Sequence, residues 1–229
     1  VVLRFAEAGR IMKQNWKIDF RAYIISSRKL FKTTGQMLER LEKILDIAPE
    51  ITAVCFRESD MDSMLLLKLA FEMRNITKRA GSKLFISRRI DIAVACGADG
   101  VQLGRRTVSI KEAKKYFPQF LIGYSAHSSS EAVRAFSDGA DFITISPIFY
   151  SPGKGKPVGI KALGKVMALC KGKPVFALGG IDACNIEEVL KTGAWGAAFI
   201  RSGWKIKDFK VVIRKIKDSL IETGEVKMH

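Results

Sequence analysis

The 229-residue chain holds only two histidines and four cysteines, and no apolar run approaches the length a bilayer requires. The histidines are His127 and the terminal His229, so imidazole chemistry inside the chain falls to His127 alone. Cys55, Cys96, Cys170 and Cys184 are scattered without a C-x-x-C pair, which excludes the usual zinc spacings. Three of them lie in apolar surroundings and read as buried free thiols, which fits a cytoplasmic protein. The opening VVLRFAEAGRIMKQNWKIDF mixes charges with single apolar residues, so no secretory segment is expected. No Pro- or Ser-rich stretch divides the chain, and one domain is expected. Acidic residues are also few, 23 against 39 Lys and Arg, for a formal charge of +16. That balance favours anionic partners, although a solvated basic surface accounts for it equally. No helix-turn-helix or aromatic–basic RNA motif is visible. The expected partner is therefore a phosphorylated small molecule, with neither membrane nor nucleic acid. A homodimer is allowed but not specified.

What the chain does contain is a rhythm. Short runs rich in Val, Ile and Phe recur at 22–25, 51–56, 83–86, 100–103, 120–124, 142–146, 175–178 and 196–200. Continuously apolar strands of this kind are covered on both faces. Helical patterns lie between them, at 36–47, 60–79, 89–96, 109–116, 128–137, 160–170, 185–191 and 207–221. The first places Met37, Leu38, Leu41, Ile44 and Leu45 on one stripe. Three helix-to-strand junctions share one pattern, CGADGVQL, DGADFITI and TGAWGAAFI. Each sets Gly where a left-handed residue closes a helix. Eight strands alternating with helices predict a single (β/α)8 TIM barrel over 20–222, with an open doubly wound sheet as the competitor. Residues 1–19 then form an N-terminal extension against the barrel bottom, and 223–229 a tail.

Barrels gather their chemistry at the C-terminal strand ends. Here those ends read Arg57-Glu58, Ser87-Arg88, Gly104-Arg105-Arg106, Ser125 and His127, Ser146-Pro147, Gly179-Gly180 and Arg201-Ser202. ALGGID after strand seven and FIRSG after strand eight occupy the two loops that commonly grip phosphate in barrels. Gly179 and Gly180 would let backbone N–H groups approach an anion, and a tight turn is the competing account. Asp182 is expected to cap the next helix. SPIFYSPGKGKPVG is a long loop from which Lys154 and Lys156 can reach a phosphate, or simply wave in solvent. His127 stands just past strand five. It is either an acid/base or a ring packed where the next helix begins. Ser128 and Glu131 have capping-box spacing.

From Arg21 to Ser202 the chain resembles the thiamin phosphate synthase and thiazole tautomerase superfamily. The likeness rests on YIISSRKL, VCFRESD, RIDIAVACGADGVQLG, IGYSAHSSSEAVRAFSDGADFITISPIF, PVFALGGI and GAWGAAFI, all in order. It implies the barrel fold reached above. Synthases of this family join a pyrimidine diphosphate to a thiazole phosphate, using two Asp ligands to Mg²⁺. Those positions carry Arg88, preceded by Ser87, and Thr107. The tautomerase branch lacks these carboxylates too. It shares VQL at Val101–Leu103, and its catalytic histidine falls on His127. Lys154 matches the synthases' diphosphate lysine, while Cys55 departs from their glutamine.

The resemblance therefore implies, first, a metal-independent tautomerase-like isomerase with no cofactor. His127 is its acid/base, and Arg57, Glu58, Ser87, Arg88, Ser125 and Lys154 bind substrate. Gly179, Gly180, Ile200 and Arg201 hold the phosphate. The alternatives are a divergent synthase, in which Arg88 or Arg105 offsets the diphosphate charge or Mg²⁺ is used, and a non-catalytic phosphate-binding protein.

Overall fold

The computed structural model describes residues 18–224. Eight parallel strands close in sequence order into a barrel. They are β1 (Ala22–Ile25), β2 (Thr52–Phe56), β3 (Lys83–Ser87), β4 (Gly100–Leu103), β5 (Leu121–Ala126), β6 (Phe142–Ile145), β7 (Val175–Leu178) and β8 (Gly196–Phe199), and β8 pairs back onto β1. The helices are α1 (Thr34–Leu45), α2 (Ser63–Ala80), α3 (Ile90–Cys96), α4 (Ile110–Tyr116), α5 (Ser129–Ser137), α6 (Gly159–Leu169), α7 (Ile186–Leu190) and α8 (Ile206–Glu222). The expected (β/α)8 barrel is thus the observed fold. No described helix is long and apolar enough to cross a membrane.

The period of two along each strand divides the core. Ile24, Val54, Ile86, Val101, Ile122, Ile143, Ala177 and Phe199 face outward and pack against the helices. Tyr23, Cys55, Phe85, Phe142, Phe176 and Ala198 face the barrel axis. Phe20 enters from below and joins them, its ring 5.0 Å from Phe176 and 5.4 Å from Phe142. These aromatic rings fill the lower half of the barrel, and small residues make room for them. A Cβ on Gly123 would collide with the Phe142 ring and with the Gln102 side chain. The barrel is therefore a packed core below and a cavity above. Ile18 and Phe20 are buried at its base. The rest of the expected extension, residues 1–17, and the tail from 225 onward lie outside the described residues.

The repeated junctions are one device used three times. Asp99, Asp141 and Trp195 each donate their backbone N–H to the preceding strand, at Leu84, Ile122 and Val175. Asp99 Oδ2 then accepts from the Leu84 N–H and from Arg74, both at 2.7 Å. Asp141 Oδ2 does the same for the Ile122 N–H and Lys114. In the third copy, the Trp195 indole N–H donates to the Phe20 carbonyl, and the Arg21 guanidinium stacks 3.6 Å from its ring. Boundaries shift for local reasons. The helix expected from Asp60 begins at Ser63, because Asp62 takes the N–H groups of Met64 and Leu65. Ile51 belongs to a 3-10 turn preceding β2. Of the four thiols, Cys55, Cys96 and Cys170 are buried and Cys184 is exposed.

Candidate active site at the barrel mouth

Above the aromatic layer the same inward parity brings together side chains distant in sequence. A cavity of about 280 Å³ is walled by Cys55, Arg57, Ser87, Arg88, Gln102, Arg105, Ser125, His127, Thr144, Ser146 and Lys154. A second, of about 420 Å³, lies between the loops after β7 and β8 and is lined by Gly179, Gly180, Ile200, Arg201 and Ser202. Arg57, Lys154, Leu178 and Ile200 line both, so the two are continuous. Of the residues expected at the site, all but Glu58 border one of these cavities.

Glu58 is turned aside. Its carboxylate accepts from Ser26 Oγ at 2.7 Å and from the Arg28 N–H at 2.9 Å, and it borders a smaller side pocket. Ser26 Oγ in turn accepts from the Arg57 N–H at 2.8 Å. Glu58 therefore fixes the backbone that aims Arg57, rather than facing the cavity.

The four arginines around β3 and β4 separate by partner. Arg89 is bound to Asp91 and Ser63. Arg105 pairs with Glu131. Arg88 lines the cavity and makes no ion pair among the described residues. It is also the one non-glycine with a left-handed backbone there, at φ 68°, held by donation of its N–H to the Gln102 carbonyl at 3.0 Å. Strained backbone of this kind persists where the surroundings dictate it. Arg57 and Lys154 likewise lack a carboxylate partner among the described residues. Burial, and then the Arg57 guanidinium, push the Lys154 ammonium below its ordinary range. Arg106 also borders the cavity without an ion pair, so the mouth holds four uncompensated cations among the described residues, Arg57, Arg88, Arg106 and Lys154, and Arg201 adds a fifth at the neighbouring loop.

His127 is held in one tautomer. Its Nδ1 lies 3.0 Å from the Ser146 carbonyl oxygen, which only accepts, so Nδ1 carries the proton and Nε2 is the basic nitrogen. Its backbone N–H donates to Glu131 Oε2 at 2.8 Å. Ser128 Oγ accepts from the Glu131 N–H as the sequence predicts. The returning half of the capping box, however, lands on His127 instead of Ser128, and so couples the helix cap to the imidazole.

Of the cavity floor, sequence reasoning assigned only Ser125 to the substrate. Tyr23 O–H donates to Gln102 Oε1 at 3.2 Å, and Gln102 Nε2 donates to Ser125 Oγ at 3.1 Å. Burial pushes the neighbouring Cys55 thiol up to about 12, against the opposing pull of the Tyr23 hydroxyl and Arg57. It therefore stays protonated and unreactive at neutral pH. The period-two parity of β4 and β6 was the available signal for Gln102 and Thr144.

The glycine loop is shaped by its neighbour as well as open to a ligand. Gly179 and Gly180 have φ of 104° and 67°. A Cβ on Gly180 would sit 2.5 Å from the Tyr150 carbonyl oxygen. The tight-turn account is thus correct as far as packing goes, and the loop also borders the cavity. Asp182 accepts from the Cys184 N–H in a turn ahead of α7, whose N-terminal cap position is Asn185. The expected helix cap is therefore displaced by three residues.

A magnesium site does not fit here. Arg88 and Thr107 stand where the resemblance calls for the two carboxylates, and a guanidinium repels a hard cation. Thr107 spends its hydroxyl on the Gly104 backbone. Among the described residues no group of three or more His, Cys, Asp or Glu could hold a metal ion.

Comparison with known proteins gives a consistent answer. Residues 22–202 match the family profile described as thiamine monophosphate synthase. A protein of Aquifex aeolicus, whose synthase assignment is itself provisional, is 42% identical over 182 residues, covering 79% of this chain and 95% of its own. The thiamine-phosphate synthase of Methanoculleus marisnigri is 36% identical over 200 residues, covering 83% and 94%. The solved thiamine phosphate pyrophosphorylase of Pyrococcus furiosus superposes with a TM-score of 0.78 at 29% identity, over 89% of this chain and 98% of that one. With the profile spanning all eight strands, the chain belongs to the thiamine monophosphate synthase family.

Proposed function

We propose that this chain acts on a thiazole phosphate, and that its reaction is the transfer for which its family is named: the joining of a pyrimidine diphosphate to that thiazole, with release of diphosphate. The names of its relatives favour this transferase reading over the isomerase that the sequence put first. One observation carries it. Arg57, Arg88 and Lys154 converge, without carboxylate partners, on a cavity continuous with the glycine loop. Three crowded cations repel one another, and a diphosphate relieves that repulsion. As the leaving group departs, negative charge grows on its oxygens, and fixed cations in a partly dry site stabilise it. Arg105 is not available for this task, because Glu131 holds it. The monophosphate of the thiazole then occupies the loops at Gly179–Gly180 and Ile200–Arg201. No step is assigned to a divalent ion, since the donor set does not fit one.

The test is a coupled assay with both substrates, run with and without a chelator. Thiamin phosphate formed equally in both tubes supports the reading. No product in either tube ends it.

A second reading, isomerisation of a thiazole carboxylate phosphate, is favoured by the fixed tautomer of His127. It predicts solvent deuterium entering the ring when that compound alone is supplied.

A further inference from the structure

Thr144 is a buried, cavity-lining side chain that neither reading uses. It follows Phe142 by two residues on β6, so it faces inward, and it lines the cavity opposite its register partner Ser125 on β5. It is only 1% exposed. Its hydroxyl has no hydrogen-bond partner among the described residues. Native proteins rarely leave such a group unpaired, and the exceptions call for a functional explanation.

The neighbours give the unpaired hydroxyl a direction. Tyr23 pins the Gln102 amide with its oxygen toward the barrel base, so its NH₂ faces Ser125. The Gln102 carbonyl is therefore spent below. Ser125 Oγ already accepts from Gln102, which leaves its own proton to give. The floor offers hydrogens from Gln102, Ser125 and Thr144, with cations above them.

Resting on the pyrimidine diphosphate reading, we infer that Thr144 is a specificity-determining residue, donating its hydroxyl proton to a ring-nitrogen acceptor on the deep edge of the heteroaromatic ring whose diphosphate meets Arg57, Arg88 and Lys154. A ring without that acceptor would leave the floor donors unpaired, which is how hydrogen-bonding sites reject near-isosteres.

Calorimetric titration of a matched pair tests this: the pyrimidine diphosphate, and the same diphosphate on a benzene ring, with inorganic diphosphate as the control for the cations. The wild type is expected to prefer the pyrimidine by at least about tenfold. Thr144→Val keeps the shape and deletes the hydroxyl. It should reduce that ratio to about two- or threefold, leave the benzene compound and inorganic diphosphate bound as before, and not lower the melting temperature. Thr144→Ser should restore the preference. Preference surviving in Thr144→Val overturns this inference alone. So does a melting temperature several degrees lower, which would make the hydroxyl structural. A wild type that binds inorganic diphosphate but neither ring compound overturns both this inference and the reading beneath it.

Discussion

His127 Nδ1 and the Ser146 carbonyl oxygen, 3.0 Å apart, join the end of β5 to the end of β6 and decide which imidazole nitrogen can move a proton. If His127 is the acid/base of the isomerase reading, His127→Ala should lower proton exchange by about 10²–10⁴-fold, the usual contribution of such a group. Affinity for inorganic phosphate should stay the same, because the glycine loop is untouched. Deuterium exchange followed by NMR and a phosphate titration measure the two effects separately. Equal loss of both would mean that the ring holds the loop and not the reaction.

The carboxylate behind that histidine gives a pH dependence. Burial alone would raise the Glu131 carboxyl, but the His127 N–H and the Arg105 guanidinium outweigh it, and the net result is below the ordinary 4.5. A group depressed on folding contributes stability that is full above its unfolded value and is lost as pH falls through the folded one. Denaturation midpoints should therefore begin to drop below about pH 4.5. Glu131→Gln, whose amide oxygen still accepts from His127 but carries no charge for Arg105, should flatten that part of the curve by lowering the neutral-pH midpoint toward the acid one. Urea titrations from pH 3 to 7 on both proteins measure it.

Most of the barrel was legible because its signals are local. Continuous apolar runs marked the eight strands, and the closing Gly of three junctions marked one repeated unit. Asp99 and Asp141 showed only as polar letters in that unit, and their bonds to Leu84 and Ile122 reach back a whole strand. The site was legible as a set of strand ends but not as a set of partners. Four arginines near β3 and β4 look alike in sequence, yet Glu131 holds Arg105, Asp91 holds Arg89, and Arg88 and Arg106 line the cavity without an ion pair among the described residues. Thr144 was hidden for a related reason. Its register opposite Ser125 is a fact of closure, not of the β6 sequence.

Two glycines separate backbone conformation from crowding. Gly180 and Gly193 both have positive φ, 67° and 81°. A Cβ on Gly193 meets nothing within 4 Å, whereas one on Gly180 lies 2.5 Å from the Tyr150 oxygen and 2.8 Å from Phe149 Cβ. Gly193→Ala should cost about 1 kcal/mol for the left-handed backbone. Gly180→Ala should cost about 3 kcal/mol, since the loop must also move, and phosphate binding should be lost with it. Chemical denaturation and calorimetry on the pair settle whether the loop's shape and its ligand share one cause.

Asp99 tests the repeated junction. Its Oδ2 serves the Leu84 N–H at the start of β3 and the Arg74 guanidinium on α2. Asp99→Ala leaves the backbone donor unpaired next to the barrel wall, a loss of about 2 kcal/mol. Asp99→Asn keeps an oxygen for Leu84 and gives up only the charge, so it should cost about 1 kcal/mol, as expected for a partly buried pair with Arg74. Asp141→Ala should match Asp99→Ala, because Asp141 makes the same pair of bonds to Ile122 and Lys114. Denaturant midpoints of the three variants measure the device directly. A loss at Asp99 without a comparable loss at Asp141 would show that the shared sequence pattern hides two different structural roles.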